Sequence, residues 1–197
     1  ALGKTLLSQQ RPEAAAELFR LVVEAVPDHV EAWQGPGTVL MASGDFTGAA
    51  AALAGACKYR PQDTEIAVDK GVALTRSSQL DVAITVFEAA LAQQAGHFRA
   101  RYTLGLALKN GYRIPEARDQ FEMVLRDQPD HAPAMFELGG CCQRENNFEG
   151  AMALYGHAFR LDNNHFANII KTMTTIPHGR FNADYRRMRR NLETAGF

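Results

Sequence analysis

Histidine returns at a fixed step in this chain, at His29, His97, His131 and His165, with Asp63 in the remaining slot of the series. Imidazole and carboxylate are metal-ligand chemistry, so the row invites a metal reading. Zinc ligands must converge to ~2.0–2.1 Å from one ion. Equivalent helices in a regular stack lie about 10 Å apart. The row therefore cannot close on one ion, and it reads instead as a polar residue in the turn before each of a series of helices. The three cysteines, Cys57, Cys141 and Cys142, form no disulfide framework, since the count is odd and neighbouring cysteines rarely bridge. They are expected to be reduced, with Cys141 and Cys142 acting as small buried hydrophobes. No phosphate-binding glycine loop, HExxH or CxxC is present. The expectation is no enzyme, no cofactor and no metal.

The elements that would carry these residues are set by the same step. Gly3, Gly37, Gly71, Gly105 and Gly139 are each 34 residues apart. So are Ala15, Ala49, Ala83, Ala117 and Ala151, and the large apolar residues Phe19, Leu53, Phe87, Phe121 and Tyr155. A fixed period of this size marks a stack of units, none of which can bury its apolar face alone. With the glycine at position eight, full units begin at Val30, Thr64, Phe98 and Ala132. Apolar or small residues at positions four, eight and eleven follow helical spacing and define one face of a first helix. Positions 20, 24 and 27, such as Ala117, Phe121 and Val124, define the inner face of a second helix. Turn signals lie between the two, as in Ser43-Gly44-Asp45 and Asn110-Gly111. Pro27, Pro61 and Pro129 end second helices, where a missing N–H is not needed. Pro36 instead falls inside a first helix between Gly35 and Gly37, which predicts a kink or local distortion there.

Trp33, Gly37, Leu40, Ala49, Leu53 and Pro61 together resemble the tetratricopeptide repeat motif, with Leu40 in place of its Tyr and Leu53 in place of its Phe. The resemblance covers residues 1 to about 165 as five 34-residue units, the first truncated. It implies an all-α, right-handed superhelical solenoid of antiparallel helix pairs whose first helices line a concave groove. In that family positions two, five, nine and twelve face the groove. Here they include Gln34, Val68, Val72, Tyr102, Leu106 and Phe136, an apolar middle with Glu31, Glu65, Asp69 and Glu137 nearby. The Lys and Asn that chaperone-binding members carry at positions five and nine are absent, which disfavours capture of a chaperone's C-terminal tail. An apolar patch favours an extended or helical peptide with apolar anchors and basic flanks.

From Phe166 the motif decays. Residues 166–197 read as a degenerate sixth unit with a C-terminal capping helix, apolar at Phe181, Tyr185, Met188 and Leu192. Arg180, Arg186, Arg187, Arg189 and Arg190 on its other faces give residues 178–197 a net charge of +3. A basic docking patch is the competing reading of that helix.

Composition supports a folded chain, with 46% apolar and 22% charged residues and a net charge of −1. That charge argues against broad attraction to nucleic acid. No stretch reaches the ~18–20 apolar residues needed to cross a bilayer. The start at Ala1, inside a unit, suggests a piece of a longer chain with a cytoplasmic home. The function expected is a protein-interaction scaffold. The alternatives are a regulatory or targeting arm of a larger enzyme such as a transferase, and a scaffold that self-assembles through its open ends.

Overall fold

The computed structural model describes residues 21–22, 25–26 and 29–162. The truncated first unit and the terminal segment, with the basic helix expected there, lie outside the described residues. Among those described there are eight helices and no strand. They are α1 (Val30–Ser43), α2 (Phe46–Tyr59), α3 (Thr64–Arg76), α4 (Leu80–Gln93), α5 (Phe98–Asn110), α6 (Ile114–Asp127), α7 (Ala132–Arg144) and α8 (Phe148–Leu161). By density of contacts the chain divides into two compact units, Ala1–Ala107 and Leu108–Phe197. Each is described by itself.

In the first unit, α1 packs on α2, α2 on α3 and α3 on α4. The contact that closes each pair is a glycine against a large side chain. A Cβ placed on Gly71 would lie 2.4 Å from Cε1 of Phe87, whose ring is fully buried. Gly37 stands in the same relation to Leu53, at 2.7 Å from its Cγ. On the other side of the α1–α2 pair, a Cβ on Gly55 would strike the Trp33 indole at 2.3 Å. Alanines at the equivalent close approaches (Ala49, Ala56, Ala83 and Ala90) are buried to 2% exposure or less.

In the second unit, α6 packs on α7 and α7 on α8. Gly139 and Tyr155 repeat the contact, with a Cβ to Cε1 distance of 2.6 Å. The Tyr155 hydroxyl, buried among Cys142, Ala151 and Phe159, donates to Oε1 of Gln143 at 2.9 Å. A buried phenol needs such a partner.

The turn after each first helix holds one residue in the left-handed region. These residues are Gly44 (φ 87°), Ser78 (63°), Tyr112 (61°) and Asn146 (64°). After three of them the next amide reaches back to a carbonyl five residues earlier, Gln79 to Leu74, Arg113 to Leu108 and Asn147 to Cys142. That bond closes the helix end in a Schellman arrangement. In Asn110-Gly111-Tyr112 the left-handed position falls on Tyr112 and not on the glycine before it. Helix length fixes the place of the turn, and the residue found there has to accept it.

Helix α1 continues from Val30 to Ser43 with Pro36 inside it. The ring removes one bond, to the carbonyl of Ala32, and its neighbours Gly35 and Gly37 carry no side chains to crowd it. The turns on either side hold the helix together.

Gly71→Ala is expected to destabilise the protein. Alanine gains up to about 1 kcal/mol of helix propensity, but forcing a methyl into a packed ring costs about 1–3 kcal/mol. Chemical denaturation followed by circular dichroism checks the sign, and a more stable variant would contradict the contact.

Candidate peptide-binding surface

The histidines of the periodic row cap helices. Nδ1 of His131 accepts from the Ala134 amide at 3.0 Å, and Nδ1 of His97 accepts from the Ala100 amide at 3.1 Å. Asp63 does the same for α3 through the Ile66 amide at 3.2 Å. Each satisfies one of the donors that a helix start leaves unpaired. Among the described residues, no group of three or more His, Cys, Asp or Glu could hold a metal ion.

His97 does more than cap. Only 7% exposed, it turns its Nε2 to Oε1 of Glu65 at 3.1 Å. With Nδ1 accepting an amide, the proton sits on Nε2 and is donated to that carboxylate. Arg99, two residues on, grips the same Glu65 at 3.0 Å and Asp69 at 2.5 Å. The Arg99 guanidinium is held above its ordinary basicity: burial works against its charge, and the bonds to Asp69 and Glu65 outweigh that. This network ties α5 to α3 within the first unit. An open concavity of about 690 Å³ adjoins it, lined by Arg60, Pro61, Gln62, Asp63, Thr64, Glu65, Gln94 and His97.

Val72 and Tyr102 lie one turn beyond Asp69 and Arg99 on their respective helices. Both are half-buried, as is Leu106 one turn beyond Tyr102. Val68 is different. It is fully buried, so it supports this face from beneath and offers a partner no surface. Gln34, half-buried on α1, accepts the Thr38 hydroxyl on its main-chain carbonyl at 3.1 Å. Phe136 belongs to the second unit. Its ring lies 5.6 Å from that of Tyr155 and packs on the buried clusters around α7 and α8.

Three of the acidic residues that the sequence placed near the apolar middle already have cationic partners. Glu65 and Asp69 share Arg99, and Glu137 is paired with Lys109 in a half-buried bridge of the second unit. Pattern reading missed these pairings. The available signal was Arg99 at position two, one period after Glu65.

The thiols sit on the inert side of their chemistry. Burial pushes Cys141 up to about 12, with the nearby Lys109 pulling weakly the other way, and burial also raises Cys57 and Cys142. Burial raises the Tyr155 phenol too. Nucleophilic cysteines need the opposite shift.

The tetratricopeptide repeat family model matches residues 1–64, 35–98, 68–111 and 102–162. Comparison with curated protein sequences finds no match. Among solved structures, the chain is similar to MamA at 19% identity, over 83% of this chain and 96% of that one, with a TM-score of 0.77. MamA from Desulfovibrio magneticus RS-1 aligns at 21% identity over 83% and 92% of the two chains, with a TM-score of 0.76. YrrB, described as a TPR protein with an unusual peptide-binding site, aligns at 22% identity over 83% and 84%, with a TM-score of 0.71. At these identities the likeness is one of fold.

Two outcomes test the roles given to His131 and Cys141. His131→Ala should cost about 1 kcal/mol of stability by loss of the cap, and His131→Asp should recover most of it, as Asp63 caps α3. Equal melting of all three proteins would remove the capping role. The Cys141 thiol has a folded-state value above its ordinary 9.0, so its contribution is intact below about pH 9 and is lost as pH rises towards about 12. Denaturation series across that window should show falling stability, less steep in Cys141→Ala, with Cys57, Cys142 and Tyr155 leaving a residual slope. An identical slope in the variant would exclude Cys141.

Proposed function

We propose that this chain, which belongs to the tetratricopeptide repeat family, is a protein-interaction scaffold that holds a partner's extended or helical segment against the first helices of its Ala1–Ala107 unit. The observation that carries the reading is the half-buried apolar row of Val72, Tyr102 and Leu106 on α3 and α5, with Gln34 on α1. A partly covered tyrosine flanked by aliphatic side chains is the composition of a binding hot spot. Val68 beneath the row, and the Glu65–Arg99–Asp69 network beside it, keep that face rigid, which reduces the ordering cost of binding. Phe136 is proposed as a contact on the second unit's own surface. YrrB, with which the fold is shared, is described as peptide-binding.

A scaffold fits this chain better than catalysis does, because its thiols are shifted away from nucleophilic character. No helix among the described residues is long and apolar enough to cross a membrane.

Peptides selected on the full chain from a random dodecapeptide display library provide the test. Tyr102→Ala should weaken a selected synthetic peptide by tenfold or more, as expected of an aromatic hot spot contributing about 2 kcal/mol. Leu106→Gln should weaken it as well. Both variants should keep the helical spectrum and melt within a few degrees of the parent. Undiminished binding by folded variants would overturn the surface.

A further inference from the structure

In the α3–α4 pair, the position facing the glycine is filled by the ring of Phe87. In the α1–α2 pair it holds the smaller Leu53, whose Cγ lies 2.7 Å from where a Cβ on Gly37 would be. Beside that contact opens a cavity of about 170 Å³, lined among the described residues by Gly37, Thr38, Met41, Leu53 and Asp69. An apolar cavity of ~150 Å³ is enough to take a benzene ring. Gly37 presents no side chain, Leu53 forms a nearly buried wall, and the Met41 thioether is flexible enough to fit an incoming group. Thr38 is exposed, with its hydroxyl already engaged by the Gln34 carbonyl.

Among the described residues the charge at this site is not balanced. Asp69 and Glu65, 42% and 63% exposed, share the single guanidinium of Arg99. His97, whose Nδ1 accepts an amide, is neutral in this arrangement. One formal negative charge is therefore left at a cavity whose wall is mostly apolar.

We infer that this cavity is the anchor subsite of the peptide surface. It takes one phenylalanine- or leucine-sized side chain of a partner segment that carries Lys or Arg within about three residues of the anchor. This rests on the scaffold reading above, of which it specifies the partner. An extended chain advances ~3.3–3.6 Å per residue, so a basic residue one to three places along can reach the carboxylate that lines the cavity. The cation completes a cluster of two carboxylates and two cations, and attraction so exposed is expected to weaken with salt.

The experiment uses the same dodecapeptide library on the full chain. The selected pool should be enriched in Phe, Leu or Met with Lys or Arg within three positions. Leu53→Phe, which adds ring volume beside the cavity at the position Phe87 holds in the α3–α4 pair, should weaken a selected peptide at least tenfold with the helical spectrum intact. Thr38→Trp should do the same from an exposed position without touching the core. Asp69→Asn should erase the enrichment in basic residues and flatten the salt dependence. If Tyr102→Ala abolishes binding while Leu53→Phe and Thr38→Trp bind normally, the surface stands and the subsite is wrong. A library that yields no binders, or binders indifferent to all of these variants, overturns both. Selection of acidic flanks, or loss of self-association in Leu53→Phe as measured by light scattering, would overturn the choice of occupant.

Discussion

The α1–α2, α3–α4 and α7–α8 pairs close because a glycine in the first helix lets a large side chain of the second lie against bare backbone. Glycine inside a helix costs about 1 kcal/mol relative to alanine, while deleting a buried aromatic ring costs about 3–5 kcal/mol. The ring decides the balance, so the glycine is retained in spite of its propensity. Gly71 with Phe87 and Gly139 with Tyr155 are two instances of one solution, and neither ring could be so fully buried against an alanine. The buried alanines at Ala83 and Ala151 serve the same closeness from the opposing helix.

Once the helices are that close, the ends of each have to satisfy their polar groups in little space. The N-termini take whatever acceptor fits the slot, a carboxylate at Asp63 and an imidazole at His97 and His131. The turns force a left-handed residue at one place per pair even where it is serine, tyrosine or asparagine. Backbone geometry thus dominates residue preference at these sites, and side-chain identity is left free for other uses. His97 shows what that freedom allows, since its second nitrogen and the adjacent Arg99 bind α3 through Glu65.

The helices and their pairing were legible in the sequence because one spacing recurs without insertion, and the glycine, alanine and aromatic positions each carry a steric reason. The candidate surface was legible only in part. Position five pointed to both Val68 and Tyr102, but burial separates them: Val68 is enclosed and Tyr102 is partly open. Periodicity reports which face a residue is on and says nothing of how far its neighbours cover it. The ion pairs Arg99–Glu65 and Lys109–Glu137 span different helices and depend on side-chain reach, which a one-dimensional pattern does not contain. At Pro36 the ring's missing N–H removes one helical bond, yet glycines flank the ring and the helix continues on both sides.

The α1–α2 pair concentrates these departures, and volume connects them. It has Gly35, Pro36 and Gly37 in one helix, Gly55 in the other, and leucine where the α3–α4 pair has phenylalanine. Protein interiors are packed to near-crystalline density, so volume missing at one point must be supplied at another or left open. Trp33 supplies it beside Gly55, where its indole lies against the glycine backbone. Leu53 fills the space directly against Gly37, and beside that contact the cavity remains. A void in a core normally costs stability in proportion to its size. This one borders an exposed threonine and a half-exposed carboxylate, so its unfilled contacts are accessible from solution, and a ligand side chain that fills them recovers the packing that the pair itself forgoes.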